Sequence, residues 1–318
     1  MEQPSMLLRK IVENIELTII GKRWPVELVV LCMASSGHVL IEDVPGVGKT
    51  RLVQALARSV GCGFKRIQFT PDTLPSDITG YSVYDPQTGR FEFRPGAVFS
   101  NFILADEINR TTSKTQASLL EIMEESQVTV DTSTYELKQP FMVLATQNSL
   151  EFVGTYPLPE AEIDRFLIRI SLGYPRIDDE IRVITANLRD EHSISAPVAD
   201  ADDILEIRKA VSQIHIDESI KKYIVMISDA TRSNPDILLG ASPRASIALS
   251  RMCQAYALYS GMSYVIPDHV KLLAPYVLSH RLVLTHEARI KNKKPDEIIE
   301  EILKTVPVPP PAHHGNAD

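Results

Sequence analysis

The segment VLIEDVPGVGKTRLVQALARSV, residues 39–60, constrains the fold more than any other stretch of the chain. It joins four mostly apolar residues to a loop holding Gly46 and Gly48, and then to an amphipathic helical pattern. A loop of this kind suits an anion, because successive backbone N–H groups at a helix N-terminus point outward and a lysine adds mobile positive charge. The candidate phosphate-binding residues are therefore Gly46, Val47, Gly48, Lys49, Thr50 and Arg51. The glycines let the backbone approach without a Cβ clash, Lys49 would reach the outer phosphates, and Thr50 would ligate Mg²⁺. The full pattern G-x-x-x-x-G-K-[ST] places glycine where Asp43 stands. That position is the strand-to-loop bend, where Asp tolerates the backbone angle needed, so the motif is weakened and its chemistry kept. The alternative, a surface turn, does not account for the strand before the loop and the helix after it.

Composition limits the rest. With 318 residues, 44% of them hydrophobic and 23% charged, the chain reads as a globular protein with room for two domains. The longest apolar run, residues 28–34, is far short of the roughly 20 residues of a membrane span. The N-terminus lacks the basic, apolar, small-residue order of a signal peptide, which makes the cytoplasm the expected location. Cys32, Cys62 and Cys253 match no metal spacing and read as reduced thiols used as small hydrophobes. A net charge of −8 argues against a sequence-independent grip on nucleic acid. The eight histidines form no ligand cluster.

Up to about residue 175, short apolar runs alternate with helical patterns: VLIE, then RLVQALARSV, FILADE at 102–107, TQASLLEIMEE and FMVLAT at 141–146. Such alternation predicts a parallel sheet covered on both faces, an α/β domain over 1–175. Turn chemistry inside alternating residues predicts two exposed hairpins, at 82–93 and 127–141, suited to touching a partner. From 176 to 304 the apolar spacing is helical, with Asp or Ser at several helix starts, which predicts an all-α domain. The proline-rich stretch 305–318 predicts a disordered tail.

The segment NFILADEINR reads as a buried strand that delivers Asp106 and Glu107 at its carboxyl end, where open α/β sheets bind ligands. Asp106 would hold the Mg²⁺ shell and Glu107 would polarise an attacking water. Taken alone, an acidic pair ending a strand is more often merely solvated; the loop upstream favours the chemical reading.

In combination GKRW, GHVLIEDVPGVGKT, LADEINR, VLATQN, IDRF, ASPRA and LSHRL resemble the AAA+ ATPases, and more narrowly the MoxR family. The resemblance implies an AAA+ αβα core with a five-stranded parallel sheet, a helical lid, ATP and Mg²⁺ as ligands, and a ring, typically a hexamer, in which a neighbour completes each active site. It implies further that Asn148 acts as first sensor, Arg165 as arginine finger and Arg244 as second sensor, in its own site or the next. A loop-capping role for Asn148 and a salt bridge for Arg165 are the plain alternatives, and Arg110 and Arg169 compete for the finger. Family members often carry proline and glycine where Ser149 and Ser133 stand. The implied activity is ATP hydrolysis that remodels or activates a separate client protein, chaperone-like, with a von Willebrand factor A domain partner. The rival readings are a nucleic-acid motor, an ATP-gated scaffold with little turnover, and a simple P-loop kinase.

Overall fold

The computed structural model describes residues 2–148, 155–188 and 196–309. Helices α1 (Glu2–Glu16) and α2 (Arg23–Ala34) precede strand β1 (Val39–Glu42), and α3 (Lys49–Ser59) leads on to β2 (Phe64–Gln68). A short α4 (Pro75–Thr79) opens the hairpin β3 (Gly80–Asp85) and β4 (Arg90–Pro95). There follow β5 (Phe102–Asp106), α5 (Ser113–Glu125), the hairpin β6 (Gln127–Val130) and β7 (Ser133–Glu136), β8 (Met142–Gln147), α6 (Glu160–Ile163) and β9 (Ile168–Ile170).

Five of these strands form one parallel sheet in the order β2-β5-β8-β1-β9. Parallel neighbours need crossover helices, which cover both faces and force the central strands to be apolar on both sides. Val39 to Ile41, Phe102 to Ala105 and Met142 to Thr146 are accordingly buried throughout. The register brings the strand ends level: Glu42 lies opposite Gln147, and Gln68 opposite Asp106. The loop after β1 and the two carboxylates after β5 thus emerge along one edge of the sheet.

Two elements escape the hydrophobic pattern. In β2 only Ile67 is buried, because an edge strand has one neighbour and little to hide. The apolar run 28–34 is buried throughout and belongs to α2, a core helix.

The hairpins occur where the turn chemistry places them, the second ending at Glu136 rather than at 141. Both are exposed over most of their length, as expected, and they also touch each other. Phe93 stacks on Tyr135 with ring centres 4.2 Å apart, and Ser82 Oγ donates to Asp131 Oδ2 at 2.7 Å. Val128 and Leu137 join the core, while Tyr81, Tyr84 and Phe91 keep the first hairpin's outer surface apolar.

The remaining elements are α7 (Ile177–Leu188), α8 (Ala201–Ser212), α9 (Glu218–Arg232), β10 (Ile237–Leu239), α10 (Pro243–Tyr259), α11 (Pro267–Leu278), β11 (Val283–Leu284), α12 (His286–Ile290) and α13 (Pro295–Thr305). The expected helix starts hold: the Asp217 carboxylate accepts from Ser219 N at 2.8 Å, and Ser242 Oγ from Ala245 N at 3.3 Å. Besides helices this region carries the small antiparallel ribbon β10–β11.

Compactness divides the chain into one unit of residues Met6–Ile207 and another of Arg208–Asp318 with Met1–Ser5. The first unit runs past 175, where the sequence pattern changes. Its later residues are tied to the α/β part by hydrogen bonds from Asn14 Nδ2 to Ala196 O (3.1 Å), Val198 N to Ser59 O (2.9 Å) and Arg51 Nη2 to Asn187 Oδ1 (2.8 Å). Of the expected tail 305–318, Thr305 closes α13 and Val306 is buried, and 310–318 lie outside the described residues. Among the described residues no helix is long and apolar enough to cross a membrane.

Candidate functional site

The loop between β1 and α3 turns on two glycines in left-handed conformation, Gly46 at φ +88° and Gly48 at φ +96°. A Cβ at either would meet no protein atom within 4 Å, so the backbone angle, rather than crowding within the chain, demands glycine. Gly48 caps α3, whose first two residues are Lys49 and Thr50. Lys49 Nζ donates to the carbonyl of Asp43 at 2.8 Å. Burial holds its pKa below the usual lysine value, against the opposing pull of Asp43, Asp106 and Glu107. A charged amine kept in a half-buried concavity is primed for an anion.

Asp43 does more than tolerate the bend. Its Oδ2 accepts the backbone N–H groups of Leu172 (2.5 Å) and Gly173 (3.0 Å), and its Oδ1 that of Val44 (3.2 Å). A glycine there leaves the Leu172 and Gly173 donors, just beyond β9, without that partner.

At the end of β5 both oxygens of Asp106 are engaged. Oδ1 accepts from Thr146 Oγ1 at 2.6 Å; Oδ2 accepts from Arg66 Nη2 at 2.5 Å and Arg66 Nε at 3.1 Å. Glu107 stands in the left-handed region at φ +57°, ψ +50°, a conformation of order 1–3 kcal/mol above the relaxed one for a non-glycine residue. Thr146 secures it by accepting the Glu107 N–H on its Oγ1 at 2.8 Å. The Glu107 carboxylate is held through Oε2 by Gln68 Nε2 (2.9 Å) and Arg110 Nε (2.9 Å).

These residues meet in a cleft of about 360 Å³ lined by Pro45, Gly46, Gly48, Lys49, Thr50, Arg51, Arg66, Gln68, Asp106, Glu107 and Asn148. That volume lies in the range of small-molecule sites. Asn148 follows β8 directly and is largely buried.

Within the same compact unit, Arg165 stands elsewhere. Arg165 Nη1 is held by Glu124 Oε2 and by the Leu120 carbonyl on α5, both at 2.8 Å, and its buried Nε makes no hydrogen bond. Close by, burial raises the pKa of Glu162 against the pull of Arg165. Arg244 is the second residue of α10, in the other compact unit. Of the rival arginines, Arg110 pairs with Glu107 and Arg169 with Glu42 (3.1 Å).

Sequence reasoning passed over Arg66, Gln68 and Thr146. The first two share one face of β2 at i, i+2 spacing, and a polar pair repeating on an otherwise thin strand is the signal that could have revealed them. Thr146 is the one hydroxyl in the apolar run FMVLAT, and a fully buried hydroxyl requires a partner.

Comparison with known proteins gives this geometry a family. Residues 38–168 match the family model described as ATPase family associated with various cellular activities (AAA), and residues 229–302 match the AAA lid domain. The chain is 50% identical to the uncharacterized protein YeaC of Bacillus subtilis, over 95% of each chain. It is 39% identical to chaperone MoxR1 of Mycobacterium tuberculosis, over 95% of this chain and 82% of that one. It is 31% identical to protein MoxR of Methylorubrum extorquens, over 92% of each. A crystal structure from Cytophaga hutchinsonii, described as a candidate ATPase, superposes with a TM-score of 0.91 at 39% identity, covering 97% of this chain and 98% of that one. A glycine loop and paired carboxylates on one edge of a five-stranded parallel sheet, together with a helical lid and relatives that match nearly end to end, place this chain in the MoxR family of AAA+ ATPases.

Proposed function

We propose that this chain hydrolyses ATP in the cleft after β1 and β5, and that turnover drives remodelling or activation of a client protein. The observation that carries the reading is the convergence of Lys49, Thr50, Asp106, Glu107 and Asn148 on one concavity. The residues suit a magnesium nucleotide. The loop glycines leave open space where a side chain would stand, and the Thr50 hydroxyl and Asp106 carboxylate are hard oxygen ligands of the kind Mg²⁺ prefers. Such a cation, when bound, neutralises charge on the phosphate oxygens.

The protein's part is positioning and electrostatics. The N–H groups of residues 46–51 cradle the phosphates at the start of α3, and Lys49 exchanges the Asp43 carbonyl for a phosphate oxygen. Glu107, aimed by its strained backbone, orients the attacking water. Asn148 contacts the γ-phosphate or that water with an uncharged amide.

Arg165 belongs to a neighbouring subunit's reaction in this reading. Its place just after α6, tied to Glu124 on α5 rather than lining the cleft, accords with a guanidinium offered in trans within a ring, a hexamer by family resemblance. Arg244 on α10 reports on the γ-phosphate from the lid. A separate protein with a von Willebrand factor A domain is the proposed partner, and the cytoplasm the proposed location.

Phosphate release from ATP tests the reading. The wild-type protein should release phosphate only with Mg²⁺ present, and Lys49→Ala should neither bind nor hydrolyse the nucleotide. Equal activity in Lys49→Ala, or none in the wild type at any protein concentration, contradicts it.

A further inference from the structure

Asp106 already has a cation. Arg66 grips its Oδ2 with two nitrogens, Nη2 at 2.5 Å and Nε at 3.1 Å, while Thr146 takes Oδ1. A second contact of the same guanidinium fixes a neighbour: Arg66 Nη2 also donates to Gln68 Oε1 at 2.7 Å. With its oxygen committed to Arg66, the Gln68 amide must present its NH₂ group to Glu107 Oε2, as observed at 2.9 Å. Arg66, Gln68, Asp106 and Glu107 therefore form one unit across β2 and β5, and all four line the nucleotide cleft.

We propose that Arg66 is a built-in counter-cation that holds Asp106 when no metal does and must yield Oδ2 when metal-bound nucleotide arrives. The inference rests on the reading of the cleft as a magnesium–ATP site. Three observations favour displacement over permanent pairing. The Arg66 side chain is 47% exposed and has water to move into, whereas the Asp106 side chain is only 15% exposed and stays fixed. Arg66 springs from the edge strand and is itself exposed there, so it can move without unpacking the core. With Thr146 on Oδ1, the oxygen that Arg66 covers is the one left for another cation.

The consequence reaches Glu107. Once Arg66 leaves Asp106, the Gln68 oxygen loses the donor that set the amide, and the hold of Gln68 on Oε2 slackens. Release of Arg66 from one carboxylate would thereby weaken one of the two holds on the other, Arg110 Nε keeping the second at the same oxygen. Arg66 acts in this scheme as a positioning residue, through Asp106 and Gln68.

Binding of a fluorescent, non-hydrolysable ATP analogue, titrated with Mg²⁺, reads this without turnover. An exposed pair of this kind contributes up to about 1 kcal/mol, so Arg66→Met should lower the half-saturating Mg²⁺ concentration about three- to fivefold. Analogue affinity in EDTA, measured for each protein, is the reference against which the magnesium shift is read. Arg66→Lys keeps the charge and loses the two-nitrogen grip; it should fall between wild type and Arg66→Met, which separates displacement from a mere change in local potential. Should Arg66→Met not fold, the Arg66→Lys shift decides alone. A wild-type response to Mg²⁺ with an unchanged or raised midpoint in the variants overturns the inference and spares the reading of the site. No magnesium-dependent binding in the wild type overturns both.

Discussion

The carboxylate of Asp43 caps the backbone of Leu172 and Gly173, joining the start of the phosphate loop to the end of β9. The residue that breaks the glycine pattern is thus a structural bond rather than a tolerated exception. Restoring the pattern with Asp43→Gly should lower stability by about 2 kcal/mol, since it deletes charge-assisted bonds to largely buried donors. Asp43→Asn should fall between. Denaturant unfolding of the ligand-free chain measures both, and an Asp43→Gly protein as stable as wild type contradicts the role.

Thr146 serves both carboxylates, donating to Asp106 and accepting from the Glu107 N–H. Thr146→Val keeps the shape and removes the hydroxyl, so Glu107 loses the anchor of its left-handed backbone. Turnover should fall at least roughly tenfold, part of the ~10²–10⁴ that a positioned base contributes, while Thr146→Ser keeps most of it. Equal kcat in Thr146→Val and wild type would show that the backbone of Glu107 is fixed by other means.

Much of this was legible in the sequence, and the boundary is instructive. The segments VLIE, FILAD and FMVLAT announce themselves because strands buried on both faces have no room for polar side chains. The residues that tune the site were hidden because β2 lies at the sheet edge, where Arg66 and Gln68 look like ordinary solvated side chains until register sets Gln68 beside Asp106. The end of the first compact unit was equally silent, since the ties from Ser59 and Asn14 to residues 196–199 join positions far apart in sequence.

A histidine in the second compact unit gives a pH signature. His269 is buried, meets the Tyr256 ring edge-on at 5.1 Å, and accepts the Ile266 N–H on Nδ1 at the start of α11. Burial pulls its pKa below the usual 6.5, against the influence of Asp268. Below about pH 6.5 the unfolded chain takes up a proton that the folded ring resists, so stability falls as acidity rises, then levels once the folded ring also protonates. The slope from this one group cannot exceed about 1.4 kcal/mol per pH unit. His269→Asn keeps an acceptor for Ile266 and should flatten that part of the profile; an unaltered profile removes His269 as its source.

Completion of the site by a neighbour is tested by mixing. Lys49→Ala chains lack the cradle and Arg165→Ala chains lack the guanidinium, so each should be inactive alone and partial activity should return in mixed assemblies. Mixtures that stay inactive while still assembling contradict a role for Arg165 in trans.

The central claim, that ATP is bound by the loop and cleaved with the help of Glu107, is most directly tested by Glu107→Gln in a paired measurement of ATP retention and phosphate release. The amide keeps the side chain's shape and a hydrogen-bonding oxygen but cannot take a proton from water. Retention at the wild-type level, with release slowed by roughly 10²–10⁴, is the expected result. Release at the wild-type rate contradicts the account.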